Sequence, residues 1–300
     1  MVDQYSIKDL EIISGIKSHT LRIWEQRYAL LVPARTETNI RYYSGNQLRE
    51  LLNICVLYNN GFKISQIAKL DPSSIAREVT AIIKDEPSVT GQVDILVIAM
   101  VELDEIRFQH TLHANISTIG VSATVEGIIF PFLRKIGFMW QTGAINPAQE
   151  HFVSNLIRQK IISEIDKFPP TDSSIRGVLF LPEHEMHELS ILYYLYLCKK
   201  AGIKCFYLGQ STPYEDLLDV LEYVKPNFIL TVLTQPMKDV STTEYISKIA
   251  SSFPETTIIA SGAQVYFLDS PESDNVVFFK SSAELNSILE NGLVSLPKVN

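Results

Sequence analysis

Apolar residues recur along this chain with changing period, and the changes divide it. From Tyr5 to Gly15, YSIKDLEIISG, the positions Ile7, Leu10, Ile12 and Ile13 mark a short helix closed by a glycine suited to a positive-φ turn. The next segment, KSHTLRIWEQRYALL, turns Leu21, Trp24 and Leu30 toward a core and leaves Lys17, His19, Thr20, Arg22 and Arg27 near its start or on its outer side. Pro33 ends it, and VPARTETNIRYYS reads as a short hairpin bearing Arg35, Arg41, Tyr42 and Tyr43. Helix, glycine-containing turn and polar-started helix form the helix-turn-helix pattern, whose second helix enters a DNA major groove. The hairpin is then a wing whose arginines and hydroxyls grip phosphate.

Residues 71–91 contain Pro72, Pro87 and Gly91 and cannot sustain a long helix, so they read as a linker holding a short one. From about Val93 to Lys167 apolar positions return at spacings of three and four, which predicts a bundle of about four helices closed by Pro169 and Pro170. Beyond, the β-branched runs GVLFLP, KCFYLG, FILTVL, TTIIASG and VVFFK alternate with helical stretches, the pattern of a doubly wound, flavodoxin-like parallel sheet. The expected fold is therefore α/β and multi-domain: a winged helix-turn-helix at 1–70, a linker at 71–91, a four-helix bundle at 92–170 and the sheet domain at 171–300.

Charge sharpens this division. The net charge is −8, yet through Leu70 nine Lys and Arg stand against six Asp and Glu, a balance of +3 that leaves −11 for the rest. A basic reader is thus joined to an acidic body. A single arginine is ordinarily a solvated surface charge; four on one motif argue for DNA contact, whereas Trp24 at helical spacing reads as packing. The chain has no run of about 18 uninterrupted apolar residues, and MVDQYSIKDLEIISG lacks signal-peptide regions, so the expected compartment is the cytoplasm, with no membrane partner. Cys55, Cys198 and Cys205 lie far apart among apolar neighbours and read as reduced, buried thiols.

Ligands of a doubly wound sheet gather outside the carboxyl ends of its strands. The loop after the first strand, PEHEMHELS, holds His184 and His187 with Glu183, Glu185 and Glu188. A zinc protease motif needs two histidines four apart on a helix; these are three apart at a strand end, which argues against zinc hydrolysis.

The head segment LRIWEQRYALLVPARTETNIRYYS resembles the MerR DNA-binding domain, over roughly residues 4–70. EMHELS followed by YLYLCKKAGIKCFYLGQSTP is similar to the cobalamin-binding domain fused to MerR heads in the CarH and LitR photoreceptor group. That resemblance implies that His187 is the lower axial ligand to cobalt and Glu185 the carboxylate that orients it. It implies that Trp140, with Glu150 and His151 after nine intervening residues, covers the upper corrin face near the adenosyl group, and that Thr231, Ser261 and Gly262 line the path of the nucleotide tail. Three positions depart from the group: Ser190 and Ala263 stand where glycines are usual, and Gln141 where light-sensing members offer a histidine. The implied protein is no enzyme but a transcription regulator, repressor or activator, binding double-stranded operator DNA as a homo-oligomer, dimer or tetramer, under control of adenosylcobalamin and possibly of light. The alternatives are a cofactor-free sensor controlled by an antirepressor protein, and a corrinoid methyl-transfer module, for which no substrate domain remains in the chain.

Overall fold

A computed structural model describes residues 4–35, 39–84, 89–141, 145–238, 240–266, 268 and 273–292. The chain forms two compact units, Met1–Ile157 and Arg158–Asn300.

In the first unit, helix α1 (Ile7–Ser14) opens on a capping box: the Asp9 N–H donates to Ser6 Oγ at 3.2 Å, and the Ser6 N–H to Asp9 Oδ2 at 2.7 Å. It ends at Gly15, whose φ of 73° suits a residue without a Cβ. Helix α2 (Ser18–Tyr28) follows at once, its start anchored by Glu11, which accepts the Ser18 N–H at 2.9 Å and pairs with Lys17 at 3.0 Å. Hydrogen bonds from Ser18 and Lys17 hold the Glu11 carboxyl down at a pKa of about 2. Leu21 and Trp24 are buried, as expected, but Leu30 is only half-buried. Ala29 takes a left-handed φ of 53° and ends the helix, so Leu31 rather than Leu30 turns into the core. Strands β1 (Ala34–Arg35) and β2 (Arg41–Tyr42) pair antiparallel as the wing.

Helix α3 (Gly45–Asn59) supplies Leu48, Leu51, Leu52 and Cys55 to the core and is followed by α4 (Ile64–Ile67). The region expected as a linker is mostly helical: α5 (Pro72–Lys84) runs 13 residues and packs on α3, and α6 (Val89–Glu102) already contains Gly91. Pro72 occupies the first helical position, where a missing N–H costs nothing. The bundle continues with α7 (Glu105–Thr124), broken at Gly120, then a π-turn over Val125–Ile129, α8 (Phe130–Gln141) and α9 (Pro147–Ile165). The run Glu105–Gly137 is, among the described residues, the helical stretch long and apolar enough to cross a membrane; its kink and π-turn interrupt it, and Phe108, Leu112, Ile128 and Phe132 are buried in the unit.

One buried charge ties the winged head to the bundle. Asp94 on α6 is 1% exposed and accepts from Lys135 Nζ of α8 at 2.8 Å and from Asn59 Nδ2 of α3 at 2.7 Å. Helix α1 also packs on α8 and α3 on α6.

The second unit is a five-stranded parallel sheet in the order β4-β3-β5-β6-β7, the flavodoxin-like order. Its elements are β3 (Arg176–Pro182), α10 (Leu189–Lys200), β4 (Lys204–Thr212), α11 (Tyr214–Val224), β5 (Phe228–Val232), α12 (Thr242–Ser252), β6 (Thr257–Ser261), α13 (Ala263–Tyr266), β7 (Val276–Phe278) and α14 (Ser282–Ser287). Val178, Phe180, Ile229 and Ile258 from the sheet meet Leu217, Leu221, Ile246 and Ile249 from α11 and α12. Cys55 and Cys198 are buried and Cys205 half-buried, all as free thiols.

Removing one partner of a buried pair leaves the other uncompensated. Asp94→Ala is therefore expected to destabilise the first unit by about 3–5 kcal/mol in urea unfolding, and an unchanged midpoint would remove the tie from the account.

Candidate functional site

On the head, His19, Arg22, Ile23, Gln26 and Arg27 are exposed on α2 at spacings of three and four, one continuous outer face of the helix. Lys17 at its N-cap is exposed beside Glu11, and Thr20 is half-buried. Arg35 on the wing donates to Asn39 Oδ1 at 2.6 Å across the hairpin, and Tyr42 is half-buried. Arg41 differs from the other arginines. It is half-buried, its Nε lies 3.4 Å from the buried carboxylate of Glu25, and the same carboxylate accepts from the Tyr43 hydroxyl. Burial and Glu25 push the Tyr43 hydroxyl pKa well up. The wing is thereby clamped to α2 from beneath. Trp24 is 3% exposed and meets the edge of Tyr58 at 5.3 Å, a core contact.

In the second unit, the chain leaves β3 at Pro182 and turns at His184, held at a positive φ of 70° with its N–H on Ser211 Oγ at 3.1 Å. This aims the Glu185 side chain inward. Its Oε1 accepts the His187 N–H at 3.0 Å and lies 2.6 Å from His187 Nδ1; its Oε2 accepts the N–H groups of Thr234 and Gln235 at 2.8 and 2.9 Å. Burial would raise the Glu185 pKa, but the hydrogen bonds from His187, Gln235 and Thr234 outweigh it and bring it to about 2. The His187 ring, held at Nδ1, is half exposed. Its neighbour Glu188 is buried and accepts from Arg158 Nε and, at 3.4 Å, from the Tyr207 hydroxyl.

The other expected positions lie on the adjoining strand ends. Thr231 is 1% exposed, and its hydroxyl has no hydrogen-bond partner among the described residues. Ser261 donates to the Phe279 carbonyl at 2.8 Å. Gly262 has a φ of 112°, and a Cβ there would come within 2.4 Å of the Leu233 carbonyl oxygen, so glycine is required for β5 and β6 to end side by side. Ser190 is half-buried in the first turn of α10 and Ala263 is exposed. A cavity of about 510 Å³ opens beside the same strand ends, between the His184 loop and the starts of α11 and α12. In the first unit, Trp140 is 54% exposed at the end of α8, and on α9 Glu150 lies 3.7 Å from the exposed ring of His151; the side chain of Gln141 lies outside the described residues. No cluster of three or more His, Cys, Asp or Glu is assembled for a metal ion among the described residues.

Residues 5–73 match the MerR HTH family regulatory proteins, and residues 93–162 match the B12 binding domain. The chain carries a MerR helix-turn-helix head and a B12 binding domain. It is similar to the HTH-type transcriptional repressor CarH of Myxococcus xanthus, 26% identical over 258 residues that span 83% of this chain and 85% of that one. It is similar also to the repressor CarA of the same organism, 25% identical over 225 residues, 74% of each chain. In fold it resembles the monomethylamine corrinoid protein of Methanosarcina barkeri, with a TM-score of 0.53 at 14% identity, covering 68% of this chain and 99% of that one. The MerR-type head with its B12 binding domain makes the chain a DNA-binding transcription regulator under a cobalamin-type sensor.

The residues present suit a corrinoid. A buried carboxylate fixes one nitrogen of an exposed imidazole, a buried hydroxyl without a partner among the described residues stands at the end of β5, and a glycine keeps the backbone low beside it. Sequence reasoning missed Arg158, Tyr207 and the backbone donors of Thr234 and Gln235. Helical period was the one signal Arg158 gave, and backbone N–H groups give none.

A carboxyl whose pKa falls from 4.5 to about 2 on folding adds stability at neutral pH and loses it as pH drops through that interval. Glu185→Gln, without cobalamin, is expected to be less stable than the parent at pH 7, with the gap narrowing between about pH 4.5 and 2. A gap constant with pH would contradict this clamp.

Proposed function

We propose that this regulator represses transcription from the cytoplasm by binding operator DNA as a homo-oligomer, and that adenosylcobalamin held by His187 sets that binding. The observation that carries the reading is the hydrogen bond that His187 Nδ1–H donates to Glu185, which makes Nε2 the nitrogen that would face cobalt. Thr231, Ser261 and Gly262 would receive the nucleotide tail, and Trp140, Glu150 and His151 would cover the upper face. On the head, Lys17, His19, Thr20, Arg22 and Arg27 would meet the major groove and its phosphates, with Arg35, Arg41 and Tyr42 gripping the flanking backbone. Arg41 would do so while paired to Glu25, so its guanidinium also sets the angle of the wing.

One head reads one half-site, and useful specificity needs two, so assembly is the lever for control. When bound, adenosylcobalamin supplies a cobalt–carbon bond that light can break. Trp140, Glu150 and His151 would then lose the group they pack against, and the bundle would relax. For this to switch binding, the ligand must favour one assembly by a few kcal/mol, since only differential affinity moves an equilibrium. Gln141, which cannot ligate cobalt as strongly as histidine, would give a lit state that is not trapped by the protein.

Molar mass by light scattering, with and without adenosylcobalamin, before and after green light, tests the switch. The expected result is a larger particle with adenosylcobalamin in the dark that dissociates on illumination. The same mass in all four conditions would overturn control by assembly.

A further inference from the structure

We infer that Arg158 and Glu188 form a brace that positions the His187 loop, so that helix α9 helps to set how the imidazole is presented. The inference rests on the cobalamin reading above. Glu188 is the N-cap residue of α10, at the junction between the His187 loop and that helix. Here its side chain makes no capping bond. It lies only 6% exposed and is met by Arg158 Nε of α9 and the Tyr207 hydroxyl of β4. A carboxylate out of water is stable only when paired and hydrogen-bonded, so Arg158 is what permits this placement. Burial and Glu188 in turn push the Tyr207 hydroxyl pKa up, which keeps it a donor.

Glu188 adjoins His187 in the chain, and its backbone is fixed on both sides: its N–H donates to the Met186 carbonyl at 3.0 Å, and its carbonyl accepts the Leu192 N–H at 2.9 Å. Glu185 fixes the imidazole by its ring, and Glu188 fixes the same short loop by its other end. Arg158 belongs to a helix that runs unbroken from Pro147 and carries Glu150 and His151 about two turns earlier. Within the second unit, Arg158 thus acts as a positioning residue for the loop of the expected cobalt ligand. It touches neither cobalt nor DNA.

The test uses the full-length protein in two states. With adenosylcobalamin, the absorption spectrum and affinity of the parent are compared with Arg158→Met, Arg158→Lys, Glu188→Gln and His187→Ala. Without it, amide hydrogen exchange over residues 183–190 is compared in the same proteins. Arg158→Met is expected to lose at least tenfold in cobalamin affinity, to shift the spectrum toward that of His187→Ala, and to speed exchange in the loop. Arg158→Lys, which keeps the charge, should restore most of both. Glu188→Gln leaves no buried charge unpaired and serves if Arg158→Met does not fold; it should show the same losses in milder form. Parental spectrum, affinity and loop exchange in the folded variants would overturn the brace. A parent that binds no cobalamin, or whose spectrum His187→Ala does not change, would overturn the cobalamin reading instead, and the exchange measurement would still decide whether Arg158 holds the loop.

Discussion

A buried carboxylate must find its hydrogen bonds or lose its charge, and in the second unit that constraint falls on Glu185. Its two oxygens take two donors from the His187 residue and two backbone N–H groups from the chain just past β5. Those donors are in place only because β3 and β5 are paired in register, with Val178 opposite Ile229 and Phe180 opposite Thr231. The close approach of Gly262 to Leu233 fixes the same edge from the β6 side. The parallel sheet therefore acts as the frame that holds the loop and its imidazole in place, and a shift of register would leave the carboxylate unsatisfied.

The first unit solves a different problem with the same means. A DNA-reading head must keep its recognition face exposed while staying coupled to what controls it. Capping at Ser6, the left-handed turn at Gly15 and the Glu11 anchor present the outer face of α2, with Arg22 and Arg27 in solvent. On the opposite side, α3 is fastened to α6 and α8 through Asp94, and α1 lies against α8. Head and bundle helices consequently share one core, so a change in the packing of α8 bears directly on the head.

Much of this was legible in the chain. Period changes marked every strand of the sheet and the helices of the bundle, because each buries one face or both. The readings that needed revision lie where tertiary contacts override local signals. Prolines and a glycine in 71–91 suggested a linker holding a short helix, yet the helix takes 13 residues from Pro72 onward and packs on α3. Leu30 and Leu31 exchanged places because Ala29 adopts a conformation that its side chain does not advertise. At the site, His187 and Glu185 stood out through a two-residue spacing and a family resemblance, whereas their supports did not. Asp94 meets partners 35 and 41 residues away, and Arg158 and Glu188 are 30 apart, distances at which one sequence carries no pairing information.

The central claim is that the ligand state at the sheet edge governs operator binding by the head. Its most direct measurement is the fluorescence anisotropy of a labelled operator fragment, selected by the protein from random DNA, titrated in the dark with and without adenosylcobalamin, for the parent and for His187→Ala. The account predicts that adenosylcobalamin tightens binding by the parent at least tenfold, about 1.4 kcal/mol, and leaves the variant nearly unaffected. Equal operator affinity of the parent with and without adenosylcobalamin would contradict it.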